Sequence, residues 1–226
     1  LVAAFAASGR LMEMWPILKE LKRSDIWDPG IPSGKPPGLI RGQKFARILA
    51  ENLPVDRFED CQTPLITIST NAKTGRPHRD VTGPIIPAVI ASCAVPFMFR
   101  PVLRDGDYHV DGGLLDKAPI QAVIETQSVD VLLVHMIESH GLVGHMPSSP
   151  FKFLDRSLDL SRDQGWRAQA NLAAARGVDV YVSQSSPRKV GPFSMSHGKS
   201  IMHDIFESTL DMLTGTPRIW PDIHTT

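Results

Sequence analysis

The sequence predicts an α/β protein: a three-layer α/β/α domain with a mostly parallel central sheet. Three observations carry this expectation. Val129-Asp130-Val131-Leu132-Leu133-Val134 is a nearly continuous apolar run, the pattern of a strand buried on both faces of a parallel sheet. Val178-Asp179-Val180-Tyr181-Val182 is a second, shorter one. Segments with helical spacing are interleaved between such strands along the whole chain.

The elements follow in order. Leu1 to Arg23 reads as a helix, with Leu1, Phe5, Met12, Trp15, Leu18 and Leu21 at helical spacing and Pro16 as its break. Ser24 to Leu39 carries Pro29-Gly30, Pro32-Ser33-Gly34 and Pro36-Pro37-Gly38, so a surface loop is expected. Phe45, Ile48, Leu49 and Leu53 form one face of a second helix that stops before Pro54. Pro64 to Thr70 is a β-branched strand, with Thr74-Gly75-Arg76 as the turn after it. Pro87 to Ala94 is a short helix closed by Pro96, followed by a strand into Pro101 and a hairpin whose return strand is Tyr108-His109-Val110. Ala118 to Thr126 is a helix with Pro119 in its first turn. The stretch Met146 to Arg176 is Pro- and Ser-rich, then helical through Gln164–Ala175. Ile201 to Leu213 is a closing helix stopped by Gly215.

With 226 residues and no convincing linker, one domain over 1–226 is expected. Lys+Arg and Asp+Glu are each 24, so the net charge is zero and there is no electrostatic case for nucleic acid or a strongly anionic membrane. Cys61 and Cys93 are too few for a disulfide framework and read as buried free thiols. No apolar run approaches the roughly 20 residues that span a bilayer. Leu1 to Ala7 has no basic residue before it, unlike a signal peptide. A cytoplasmic location is the default expectation, and oligomeric state stays open.

The most informative stretch is Ala91 to Gly113, ASCAVPFMFRPVLRDGDYHVDGG. It delivers Asp111 from a strand end into Gly112-Gly113, two residues without a β-carbon, so other groups can approach the carboxylate closely. This segment resembles the catalytic-aspartate region of the patatin-like phospholipases, where an AS-x-A-x-P helix, an F-x-P turn and a Y-x-DGG strand end carry the base of a Ser–Asp dyad. Three further segments match in order. Leu1 to Gly9, LVAAFAASG, is similar to the helix that directly follows the nucleophile elbow. Glu59 to Thr70 with Thr74-Gly75 resembles a strand and turn of the family. Pro119 and the Val129–Val134 strand are the last, so the resemblance covers about 1–136. Lys117 stands where the family usually carries Asn.

The resemblance implies a lipid acyl hydrolase acting on a lipid or other carboxyl ester, with Asp111 as general base supported by Gly112 and Gly113. No metal or organic cofactor is implied, and transient contact with membranes or lipid aggregates is. A serine hydroxyl needs a base as it attacks a carbonyl, and a carboxylate does this well only when burial raises its pKa. Phe97, Phe99 and Tyr108 near Asp111 are expected to make the site partly dry. Yet the 226 residues contain no G-x-S-x-G. The chain opens on Leu1, in mid-helix and without a capping residue. The expectation is therefore a domain truncated at its N-terminus, lacking the first strand, the oxyanion loop and the elbow. The alternative is an inactive patatin-like module that binds lipid or a partner.

Other residues invite blander readings. Ser8 has its Gly at +1 and no strand before it, and Ser194 and Ser196 lie in a Pro-containing loop, so none reads as the nucleophile. His135, His140 and His145 are five apart, which suits no metal-binding face. Asp155, Asp159 and Asp163, with Arg156 and Arg162 interleaved, read as a solvated helix face. Trp15, Trp27, Trp166 and Trp220 read as packing residues.

Overall fold

The computed structural model describes residues 1–30, 35–137, 149–185 and 198–214. They fall into two compact units, Leu1–Leu115 and Asp116–Thr226.

The first unit opens with α1 (Val2–Ala7) and α2 (Leu11–Glu20). The break expected at Pro16 lies instead at Gly9, whose φ of 76° is left-handed. A larger residue there would be strained by that φ and would have to displace the Gln62 side chain, whose Oε1 lies 2.3 Å from the position of a β-carbon. Pro16 sits inside α2 and forgoes one backbone bond, to the carbonyl of Met12, a residue open to solvent. A short α3 (Arg23–Ile26) leads to α4 (Gln43–Asn52), which is the helix expected around Phe45 to Leu53. Asp28 holds the start of α4, its carboxylate accepting from the amides of Gly42, Gln43 and Lys44.

Four strands follow: β1 (Thr67–Asn71), β2 (Pro77–Asp80), β3 (Val102–Arg104) and β4 (Asp107–Asp111), with α5 (Ile85–Ser92) between β2 and β3. Their order is β2-β1-β4-β3, and every pairing is antiparallel. The mostly parallel central sheet expected from the sequence is therefore not what this unit contains. The reason is local: β1–β2 and β3–β4 are each closed by a tight turn, which forces antiparallel pairing. The second turn is Asp105-Gly106, with φ of 49° and 85°, the left-handed pair that a two-residue hairpin needs. The strand expected to run into Pro101 instead starts after it, at Val102. The core of this unit is Phe5, Leu49, Phe58, Leu65, Ile85, Ala88 and Val89, contributed by α1, α4, α5 and the approach to β1.

The second unit holds the parallel pair. β5 (Val131–Ile137) and β6 (Asp179–Ser185) align in register from Val131↔Asp179 to Ile137↔Ser185. α6 (Ile120–Thr126), α7 (Pro150–Ala175) and α8 (Gly198–Thr214) are its helices. Leu132, Val134, Met136 and Val180 pack with Trp166, Ala170 and Ala173 of α7. Burial of β5 on both faces was expected, but Val131 and Leu133 are 56% and 60% exposed. β5 alternates instead, with Leu132, Val134 and Met136 buried between the exposed residues.

Candidate active site

Asp111 is the last residue of β4 and the cap of a short 3-10 turn, Gly112–Leu114. Hydrogen bonds through its amide, its carbonyl and its carboxylate hold it. Its amide donates to the Ala94 carbonyl at 2.9 Å, just beyond α5. Its carbonyl accepts from the Thr70 hydroxyl at 3.1 Å. Its Oδ1 accepts from the Gly113 amide at 2.7 Å. The two glycines have separate reasons. A β-carbon on Gly112 would lie 2.4 Å from the Ile68 carbonyl oxygen, so only glycine lets the turn pass β1. A β-carbon on Gly113 would lie 3.0 Å from Asp111 Oδ1, pressing on the carboxylate itself.

Asp111 is half-buried, yet the aromatic wall expected around it does not form. Phe97 is 65% exposed in a left-handed turn, φ 73°. Tyr108 is 41% exposed, and strand alternation puts it on the opposite face of β4 from Asp111. Cys93 lies closer to the chemistry. Burial foremost raises its thiol pKa; the Leu1 amino group opposes this and the Asp111 carboxylate adds to it. Leu1 and Asp111 are thus both within electrostatic reach of one side chain. The loop to β1 is tied to the end of α1, the amides of Gln62 and Thr63 donating to the Ala7 carbonyl at 2.8 and 3.2 Å. Glu59 is also engaged, accepting from the Gly83 amide ahead of α5.

Ser8 is buried, and its hydroxyl donates to the Phe5 carbonyl at 2.9 Å, a helix-end bond. His135 lies within β5 and its Nδ1 is 3.2 Å from Ser183 Oγ. His140, His145, Ser194, Ser196, Gly215 and Trp220 lie outside the described residues. Among the described residues no group of three or more His, Cys, Asp or Glu could hold a metal ion, and no helix is long and apolar enough to cross a membrane. Cys61 and Cys93 are free thiols and only partly buried.

The solvated helix face expected around Asp159 and Asp163 is turned inward instead. Lys117 Nζ lies 2.7 Å from Asp163 Oδ1 and 3.4 Å from Asp159 Oδ1, with its side chain 17% exposed. Arg162 and Arg156 flank Asp159 at 3.2 and 3.8 Å. Leu154, Leu158 and Leu160 of the same helix are exposed. Charge periodicity shows which residues share a helix face; it does not show which face meets a lysine from another element. Trp166 is a core residue, as expected.

Sequence reasoning also missed a polar network beside Asp111. Ser69, directly opposite Asp111 in the β1–β4 register, has its hydroxyl 3.0 Å from His109 Nδ1. Asp80, 6% exposed, is gripped by both terminal nitrogens of Arg104 at 2.6 and 2.7 Å. His78 lies 3.4 Å from Asp80 and meets His109 edge-on, ring centroids 4.9 Å apart. Alternating polar residues on strands signal a solvent face, and here that face is buried, so no sequence signal pointed to it.

A carboxylate fixed at a strand end beside two glycines, on an α/β scaffold, defines a candidate acid–base site. Residues 1–124 match the family model described as patatin-like phospholipase. The chain belongs to the patatin-like phospholipase family. An uncharacterized NTE family protein of Mycobacterium tuberculosis is 28% identical over 122 residues, which cover 54% of this chain and 34% of that protein. A lysophospholipase NTE1 of Cryptococcus neoformans is 30% identical over 127 residues, 56% of this chain and 7% of that much longer protein. The chain thus matches about a third or less of the length of these relatives.

Proposed function

We propose that the chain is the base-bearing part of a lipid acyl hydrolase, with Asp111 taking the proton from a serine that lies in sequence preceding Leu1. The single observation that carries this reading is the Asp111-Gly112-Gly113 strand end within a family of phospholipases. Two others support it. The start of α1 and the Asp111 carboxylate both lie near the Cys93 side chain. The Gly113 amide orients the Asp111 carboxylate by donating to its Oδ1.

The serine oxygen attacks the ester carbonyl as Asp111 takes its proton. Collapse of the tetrahedral intermediate breaks the bond to the alcohol, and Asp111 returns the proton to it. Water, deprotonated by the same carboxylate, then releases the acid and restores the serine. The lipid class is set by residues around the acyl chain, and a lysophospholipid is one candidate, by similarity to the fungal relative.

In the full-length protein, Asp111→Asn preserves shape and removes the base, so kcat should fall about 10²- to 10⁴-fold with the fold intact by circular dichroism. Unchanged turnover would sink the assignment. The second reading is a patatin-like module that binds lipid without hydrolysing it. A fluorophosphonate probe separates the two: labelling of one serine in the full-length protein supports the hydrolase, and silence supports the module.

A further inference from the structure

The β1–β4 seam is short, only Ser69↔Asp111, Thr70↔Val110 and Asn71↔His109, yet it is reinforced by side chains. The Thr70 hydroxyl donates to the Asp111 carbonyl, Asn71 Nδ2 donates to Asp107 Oδ2 at 3.0 Å, and Ser69 meets His109. Directly opposed and diagonal residues of an antiparallel pair share a face, so Ser69, His109 and Asp111 lie on one side of the sheet. Ser69 is fully buried and His109 is 2% exposed, so water cannot stand in for either partner.

We propose that Ser69 and His109 form a proton-sensitive lock that positions Asp111, closed while the His109 imidazole is neutral and loosened when it gains a proton. The inference rests on Asp111 being the working carboxylate. His109 acts through the strand and is a positioning residue. With the proton of the neutral ring on Nε2, Nδ1 accepts from the Ser69 hydroxyl. Protonation turns Nδ1 into a donor, so Ser69 has to reverse and its own proton loses its acceptor.

The surroundings oppose the added charge. From β2, His78 faces the ring, and Asp80 is already occupied by Arg104. Arg104 itself faces it from β3, with Asp105 in the turn. On its own strand Asp107 and Asp111 share the face, Asp107 being engaged by Asn71 and Lys73. Burial foremost, then His78 and Arg104, hold the His109 pKa below its ordinary 6.5, and Asp80 and Asp105 only partly offset them. A group whose folded pKa is depressed contributes stability that is complete above the unfolded value and is lost as pH falls through the folded one. The lock should therefore be closed above about pH 6.5 and open progressively below it.

Amide hydrogen exchange of the full chain, read alongside the His109 ring resonances, tests this without any ester hydrolysis. Protection of the Asp111 and Gly113 amides should fall about tenfold or more between pH 7.5 and 5, while the Leu49 amide in α4 holds. His109→Asn keeps a hydrogen-bonding side chain that cannot titrate and should abolish that pH dependence. In His78→Gln, an exposed change, the ring titration and the loss of protection should move to higher pH together. Protection that stays flat while the ring titrates, or midpoints that separate in His78→Gln, would overturn the lock. A protein with the lock but no esterase activity would instead sink only the hydrolase reading.

Discussion

The two units bury charge in opposite ways. In Leu1–Leu115 a sheet hides Asp80, Arg104, His109 and Ser69 on one face, with Asp80 6% and Arg104 15% exposed. In Asp116–Thr226 a helix turns Asp159 and Asp163 toward Lys117 but leaves all three roughly a fifth exposed. The difference teaches where geometry is specified and where it is tolerant. Sheet partners are fixed by register, so a bidentate grip at 2.6 and 2.7 Å can be built and dehydrated. On the helix, Arg156 and Arg162 stand by to share Asp159, and water reaches the group. The first cluster specifies a structure beside the candidate base; the second anchors a helix.

Arg104→Met is the strongest test of that contrast. It removes the only ion-pair partner within 3 Å of a buried carboxylate among the described residues, and a broken buried pair costs about 3–5 kcal/mol. Urea unfolding should show that loss. A change below about 1 kcal/mol would mean that the sheet cluster is no more specified than the helical one. Gly112→Ala comes next, at about 1–3 kcal/mol, because its new carbon meets the Ile68 backbone oxygen, which cannot move without shifting β1. Lys117→Met should cost only about 1 kcal/mol in the same assay, since Arg156 and Arg162 remain to compensate Asp159 and the methionine keeps the apolar stem. A Lys117→Met loss equal to that of Arg104→Met would break the comparison from the other side.

The same contrast explains what the sequence made legible. The α4 face, the Asp105-Gly106 hairpin and the parallel character of β5 and β6 were visible because periodicity and turn chemistry are local. Asp111 and both glycines were visible for the same reason, and through the family pattern that 1–124 carries. β2, Pro-His-Arg-Asp, was not: it has no apolar alternation, because the face it adds to is polar and buried. Ser69 and His109 are 40 residues apart, and only the antiparallel register brings them together. Tyr108 and Phe97 misled in the converse way, being aromatic, part of the same Ala91 to Gly113 stretch as Asp111 and yet turned to solvent.

Gly113→Ala should have the smallest effect on stability and a separate effect on function. Its β-carbon would lie 3.0 Å from a side-chain oxygen, and a carboxylate yields far more easily than a backbone carbonyl. The φ of Gly113 is not left-handed, so alanine brings no backbone strain there. Unfolding should shift by less than about 0.5 kcal/mol, the range of a substitution that breaks no buried contact. The Asp111 carboxylate, however, would be pushed off the Gly113 amide that now orients it at 2.7 Å. A base displaced by a few tenths of an ångström from a reacting hydroxyl lowers kcat, with little change in KM, because the substrate's own contacts are untouched. In the full-length protein Gly112→Ala should thus fail mainly in stability and Gly113→Ala mainly in turnover. If the two adjacent substitutions lose stability and turnover in equal proportion, the glycines share one structural role and the carboxylate needs no room of its own.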